Sequence, residues 1–109
     1  MSITVNLYYK GENGNAKKFV EEMISSGTVD AIRKEEGNEK YDYFVSYDDS
    51  ETILLIDSWK DQKSIDLHHA SPMMETIAKL RDKYDLHMQV ERYVSDDEIS
   101  EKDQSFIRQ

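Results

Sequence analysis

Four short segments of this chain are rich in β-branched and aromatic residues, and their order restricts the fold more than any other feature. The first is SITVNLYYK (residues 2–10), and the next two are YDYFVSYDD (41–49) and TILLIDSW (52–59). The fourth ends in HMQVERYV and spans about 86–94. Because this composition favours strands, and only a short polar stretch separates the second from the third, we predict four strands with a central antiparallel hairpin.

Helical spacing marks the sequence between the first and second strands. After the loop GENGN, either Asn13 or Asn15 can cap a helix, and apolar residues then recur at helical intervals (Phe19, Val20, Met23 and Ile24). SSGT interrupts this pattern, and Thr28 is predicted to cap a second helical segment. Gly37 is predicted to end it, as a C′ residue in the left-handed conformation that glycine adopts at low cost.

A second helical region follows the third strand. Asp61 is the predicted cap of its first part, and Ser71 followed by Pro72 predicts a restart, with serine as cap and proline at the first helical position. One apolar stripe follows at spacings of four, seven and eleven residues: Met73, Ile77, Leu80 and Tyr84.

The predicted order is therefore β-α-β-β-α-β, an α+β, ferredoxin-like fold with a four-stranded antiparallel sheet. We assign it to residues 1–94; residues 95–109 are an acidic tail whose Ile99, Phe106 and Ile107 favour a short docking helix. Two helices can cover only one face of a four-stranded sheet. Leu54 and Ile56, which alternate with Ile53 and Leu55 on the third strand, make the other face apolar as well. We therefore predict a homodimer in which the uncovered sheet faces pack together.

Composition narrows the classes of function. The 109 residues suffice for one domain, and a net charge of −9 disfavours binding to nucleic acids and to anionic membranes. The chain has no cysteine, its longest aliphatic run is Ile53–Ile56, and its first residues do not resemble a signal peptide. We expect a cytoplasmic protein.

Several residues are candidates for a binding or catalytic site, each with a structural alternative. His68 follows Ile65 by about one turn, so it can face a pocket as a proton acceptor or be a half-buried structural histidine. On a helix, the side chains of His68 and His69 point about 100° apart, so they cannot chelate one ion together. We therefore expect no metal site. Trp59 is either a core anchor or a pocket wall. Asn6 is either a substrate-binding or a structural amide.

Other candidates depend on geometry that the sequence does not define. The tyrosines, Tyr43 among them, could stack on a substrate or fill the core. Met73 and Met74 could likewise flank a flat ligand or pack in the core. Asp57 faces either side of the sheet, depending on strand register.

Three stretches together resemble the antibiotic biosynthesis monooxygenase (ABM) family: RKEEGNEKYDYF (33–44), LLIDSWKDQKSIDLHHASPMM (54–74) and ERYV (91–94). Members have an acidic residue and a glycine before the second strand, a tryptophan ending the third, and a His-x-x-Ser segment. The resemblance implies a dimeric α+β barrel with a pocket between the helices and the sheet. It also implies oxidation of a quinol-like or phenolic aromatic molecule by O2, with no cofactor.

Carried over to this chain, the resemblance makes His68 the proton acceptor, Asn6 the donor to a phenolate and Trp59 a stacking wall. Tyr43 and Met73 are the further expected substrate contacts. Met73 also stands where many relatives have a second histidine. The alternatives are a non-catalytic dimer that binds a small ligand and an isomerase on the same fold.

Overall fold

The computed structural model describes residues 1–109 and confirms the α+β, ferredoxin-like order of elements. The strands are β1 (Ile3–Lys10), β2 (Asn38–Val45), β3 (Thr52–Trp59) and β4 (His87–Val94). The helices are α1 (Asn15–Ser25), α2 (Thr28–Arg33), α3 (Gln62–His69), α4 (Met73–Lys83) and a short α5 (Glu101–Gln104). All pairings are antiparallel, in the order β2-β3-β1-β4. None of the helices combines the length and apolar character needed to cross a membrane.

The register of the sheet separates two faces. Val5 lies opposite Asp57, and Leu7 lies opposite Leu55, so these side chains share the face covered by the helices. The core on this face includes seven nearly or fully buried side chains from strands and helices: Tyr9, Phe19, Met23, Ile32, Leu55, Trp59 and Ile77. Burying an apolar side chain of this size stabilises a fold by about 1.5–3 kcal/mol, so this side of the sheet anchors the structure.

The second face, which we call the outer face, carries no helix. It includes Asn6, Leu54 and Ile56, whose register positions alternate with those of the core residues. Phe44 and Tyr93 remain about half exposed there, at 47% and 51%. The predicted imbalance between sheet surface and helix cover is therefore present, although polar side chains interrupt the apolar ones.

β4 is the least covered strand. All eight of its residues are exposed, including Met88, Val90 and Val94, which point toward the helix side. The tail beyond β4 forms the short α5, which has no buried residue. Ile99, Phe106 and Ile107 all remain exposed.

The helix starts only partly follow the predicted capping. Asp61 caps α3 as predicted, since its carboxylate accepts hydrogen bonds from the Ser64 N–H and hydroxyl. No side chain caps α1, which Gly14 precedes in the left-handed conformation; the Asn15 amide donates to the Tyr84 carbonyl instead. α2 likewise lacks a side-chain cap, and the Thr28 hydroxyl pairs with that of Ser26.

The restart at α4 is where predicted, but Ser71 does not cap it. Its N–H donates to the His68 carbonyl, and its carbonyl accepts from the N–H of Met74. The backbone of Ser71 thus joins the two helices, while its hydroxyl is buried without a partner. The prediction of a serine cap was wrong because the three-residue connection keeps the Ser71 N–H bonded to the last turn of α3.

Gly37 adopts the predicted left-handed conformation, with φ of 88°. It lies in the turn between Glu35 and Asn38, past the end of α2, and is not the C′ residue of that helix. A Cβ at this position would lie 2.0 Å from Ser64 Oγ. Both its φ and this close approach therefore require glycine, and together they seat the turn against the start of α3.

Candidate functional site

A cavity of about 290 Å³ lies between helices α3 and α4 and the helix-covered face of the sheet. Most of its wall is apolar, including Val5, Leu7, Leu55, Ile65, Met74 and Ile77. This composition and size are typical of a small-molecule site. A few polar side chains also reach the cavity, and they determine what chemistry it can support.

His68 is the first of these polar groups. It projects from α3, is 3% exposed, and its Nδ1 lies 3.1 Å from both carboxylate oxygens of Glu35. Since a carboxylate only accepts, Nδ1 must carry the proton, so Nε2 of the neutral ring is the free acceptor. The His68 ring also lies against Trp59, with centroids 4.7 Å apart and planes tilted by 30°. These contacts hold the imidazole in one tautomer and one orientation.

Glu35 belongs to the RKEEGNEKYDYF stretch, where the family resemblance includes an acidic residue, but no individual role was predicted for it. Its position follows from the turn at Gly37, which lies against Ser64 in the same helix as His68. The Glu35 side chain is 16% exposed at its contact with the nearly buried histidine. A carboxylate so placed stabilises the ring when it accepts a proton.

Asp57 is the second polar group of the cavity, and it is 8% exposed. Trp59, two residues on along β3 and on the same face, donates its indole N–H to Asp57 Oδ1. Burial raises the pKa of Asp57 to about 7; the Trp59 hydrogen bond opposes the shift, the charge of Glu35 adds to it, and Arg81 opposes it. This carboxyl therefore exchanges a proton near neutral pH.

Arg81 of α4 supplies a positive charge to the cavity. Its Nη2 donates to the Tyr9 hydroxyl at 2.7 Å, and its guanidinium lies over the Tyr9 ring, 5.4 Å from the centroid. Burial raises the pKa of Tyr9, so the tyrosine stays a neutral phenol at physiological pH. Arg81 can thus face an anion in the cavity without losing its own anchor.

Two of the residues predicted for the site, Trp59 and His68, meet in this cavity. Asn6 does not reach it, because it lies on the outer face of β1, opposite Ile56 and Glu91. A molecule held in the cavity therefore has no contact with Asn6.

Tyr43 and Met73 also lie away from the cavity wall. Tyr43 packs edge-on against Phe19 and Tyr41, and its hydroxyl is buried without a partner. Its neighbour on the same strand face, Tyr41, lines the cavity in its place. Met73 packs against the core, while Met74, one residue on, lines the cavity. Adjacent residues of a helix point about 100° apart, which explains why Met74 lines the cavity and Met73 does not.

The fold and the cavity together define a class: a ferredoxin-like α+β protein with a mainly apolar cavity between its helices and its sheet. The chain belongs to the antibiotic biosynthesis monooxygenase family, which matches residues 2–80. It is 30% identical over 67 residues to the Bacillus subtilis (strain 168) protein named "Putative monooxygenase YcnE", covering 62% of this chain and 68% of that protein.

Solved structures agree in fold. SnoaB from Streptomyces nogalater, described as a cofactor-independent oxygenase, superposes with a TM-score of 0.74 at 12% identity, over 92% of this chain and 98% of that one. PA3566 from Pseudomonas aeruginosa gives a TM-score of 0.74 at 18% identity, over 86% and 93% of the two chains. At such identities the similarity establishes the fold alone.

Proposed function

We propose that this protein is a cofactor-independent monooxygenase that oxidises a quinol-like or phenolic aromatic molecule with O2. The observation that carries the proposal is the buried His68–Glu35 pair, which presents a free imidazole nitrogen beside an aromatic wall in an apolar cavity. Membership of the family supports the reaction class. The description of SnoaB is consistent with it.

The reaction balances without an external reductant. A quinol and O2 give a hydroxyquinone and water, so the substrate supplies all the electrons, and one oxygen atom enters the ring. The first step needs a base, because the phenolate gives up an electron to O2 far more readily than the phenol. His68 Nε2 takes this proton, and Glu35 stabilises the imidazolium that forms. General-base catalysis of this kind contributes about 10²–10⁴-fold.

The rest of the cavity holds and stabilises the substrate. Trp59 lines the cavity and, packed against the His68 ring, forms part of an aromatic wall for the substrate. Because Asn6 lies on the other face, stabilisation of the phenolate falls to the positive charge of Arg81. The apolar residues keep water from the anion, which strengthens this charge interaction.

His68→Ala should lower enzyme-dependent oxygen uptake about a hundredfold, the size expected for loss of a general base. An oxygen electrode would follow uptake with a reduced naphthoquinone, after subtraction of autoxidation. His87→Ala is the matched control, because the His87 side chain is 83% exposed and lies outside the cavity. Equal uptake by wild type and His68→Ala would remove His68 from the mechanism.

A second candidate function is non-catalytic binding of a small aromatic ligand, or isomerisation on the same fold. It is favoured by Met73, which stands where the family resemblance places a second histidine. A rise in melting temperature with a naphthoquinol, without oxygen uptake above the autoxidation rate, would support the binding protein.

The proposed assembly is a homodimer in which two outer faces pack together. Leu54, Ile56 and Phe44 provide apolar surface there, and no helix of the same chain covers it. The cavity lies on the other side of the sheet, so each chain keeps a complete site. Ile56→Glu should shift the sedimentation coefficient at micromolar concentration from dimer to monomer, and a wild-type monomer would contradict the assembly.

A further inference from the structure

Two carboxyl groups, those of Glu35 and Asp57, lie close to the cavity, and they differ in their hydrogen bonds. Both oxygens of Glu35 lie at hydrogen-bond distance from His68 Nδ1. Asp57 is held through one oxygen only: Oδ1 accepts from the Trp59 indole, and Oδ2 has no partner within the chain. Because Asp57 lines the cavity, its unpaired oxygen is available to a bound molecule.

The surroundings of Asp57 favour a neutral carboxylic acid that can give up its proton. From β1 and β2 the facing groups are phenols (Tyr9, Tyr41 and Tyr43), which stay neutral because burial raises the pKa of each. Glu35, from the turn before β2, is the facing negative charge, and Arg81 from α4 is a positive one. His68 and His69 from α3 and Arg92 from β4 complete the ionisable wall.

We propose that Asp57 is a second proton-transfer residue of this cavity, acting as the acid that protonates the oxygen released as water. The proposal rests on the oxidation proposed above, which needs two proton-transfer groups. His68 accounts for one of them. Trp59 is a positioning residue in addition to a stacking wall, since its N–H fixes the carboxyl of Asp57.

Atoms and electrons balance in the formation and breakdown of a ring hydroperoxide. The substrate anion adds O2, and the proton held by His68 completes a ring hydroperoxide. When its O–O bond breaks, the carbon loses its C–H proton to His68, and that electron pair forms the new carbonyl. The outer oxygen leaves with the O–O electron pair and takes the proton of Asp57, forming water. Transfer of the proton from His68 to Asp57 then restores both groups.

This role predicts a pH profile that a structural carboxyl would not produce. Activity should fall as pH rises through the pKa of Asp57, because the acid form is the one that donates. Trp59→Phe removes the N–H that stabilises the carboxylate, so the alkaline limb of kcat should move to higher pH. Asp57→Asn should lower kcat about a hundredfold and abolish that limb.

The closing experiment has two parts on the full chain. First, NMR of protein with 13C-labelled aspartate carboxyls, without substrate, should show one carboxyl titrating near pH 7. That resonance should disappear in Asp57→Asn and remain in the control Asp85→Asn, whose side chain is 90% exposed and whose positive φ asparagine tolerates. A spectrum with no aspartate titrating above about pH 5.5 would overturn the proposal, whatever the activity.

Second, oxygen uptake with a reduced naphthoquinone is measured against pH for wild type and the same variants. Uptake in Asp57→Asn equal to that of wild type overturns the role of Asp57 and leaves the oxidation standing. No uptake in wild type overturns the oxidation and the role of Asp57 together. A lost alkaline limb in Asp57→Asn, with an unchanged profile in Asp85→Asn, is the expected result.

Discussion

The cavity has two walls of opposite character. The inner wall comprises Asp57 and Trp59 of β3 with His68 of α3, and none of these is more than 8% exposed. The open wall comprises Met88, Val90 and Arg92 of β4, where Met88 is 40% and Val90 54% exposed. Each polar group of the inner wall has a fixed hydrogen-bond partner, whereas the apolar side chains of the open wall have no helix over them.

Strand order explains this difference. β3 lies between β2 and β1, so its side chains pack under the helices, while β4 is an edge strand paired only with β1. Burial and defined hydrogen-bond partners shift the pKa values of groups that exchange protons, and the inner wall provides both. We infer that the inner wall performs the chemistry and that the open wall admits and selects the substrate.

An effect as large as any in this protein is expected from Glu35→Gln. The glutamine can no longer stabilise a charged imidazole, so kcat should fall about a hundredfold, with little change in KM. Glu36→Gln, an exposed neighbour outside the cavity, is the matched control. Steady-state oxygen uptake gives both constants, and an unchanged kcat in Glu35→Gln would mean that the inner wall does not depend on this pair.

Asp57→Asn should stabilise the fold while it impairs the proposed chemistry. The folded-state pKa of about 7 lies above the unfolded value, so the wild type loses stability as pH rises between those two values. Asparagine does not ionise, so the variant does not lose this stability. Its advantage in the free energy of unfolding should grow by about 2.6 kcal/mol from pH 5 to pH 8.

Urea unfolding of both proteins at the two pH values measures this difference. The same advantage at pH 5 and pH 8 would show that Asp57 does not titrate in this range, and the inner wall would lose its second proton carrier. Asp85→Asn, on the exposed side chain, should show no such pH dependence.

On the open wall, Val90→Thr should have a modest effect. It keeps the shape of a half-exposed side chain but makes it polar, so KM should rise about two- to fivefold with kcat unchanged. Tyr93→Phe on the outer face is a control on the same strand. A large loss of kcat in Val90→Thr would show that the open wall takes part in the chemistry.

The smallest effect is expected from removal of residues 100–109. No residue of α5 is buried, so the free energy of unfolding should change by less than about 0.5 kcal/mol. Activity per site should also be unchanged if the open wall needs no cover from the tail. Thermal unfolding and oxygen uptake of the shortened chain test both points, and a loss of activity alone would assign the tail to the open wall.

Local patterns in the sequence predict most of the fold. The composition of TILLIDSW, the cap at Asp61 and the restart at Pro72 depend on neighbouring residues only, and the structure confirms each. The wrong caps at Asn15 and Ser71 have a different cause. Their backbone or side-chain groups bond to residues in neighbouring turns and elements, which a local pattern does not contain.

The site was predictable only where one strand or helix decides the direction of a side chain. Trp59 and His68 were predicted from the family resemblance together with the strand end and the helical spacing, and both line the cavity. Alternation along β1 separates Asn6 from Val5, but both faces of that strand look apolar, so the sequence could not say which one the helices cover. Asp57 had the same ambiguity, and register resolved it. Glu35 depends on the conformation of a turn.

The absence of a side chain at Gly37 affects more than its own turn, because it also permits the contact between Glu35 and His68. A methyl group there would collide with Ser64 Oγ and wedge the turn away from α3. We expect the carboxylate of Glu35, two residues before Gly37, then to move away from the His68 imidazole. A screen that measures only soluble protein would not report the loss of the His68–Glu35 contact, so Gly37 has to be tested by the pairing that it permits.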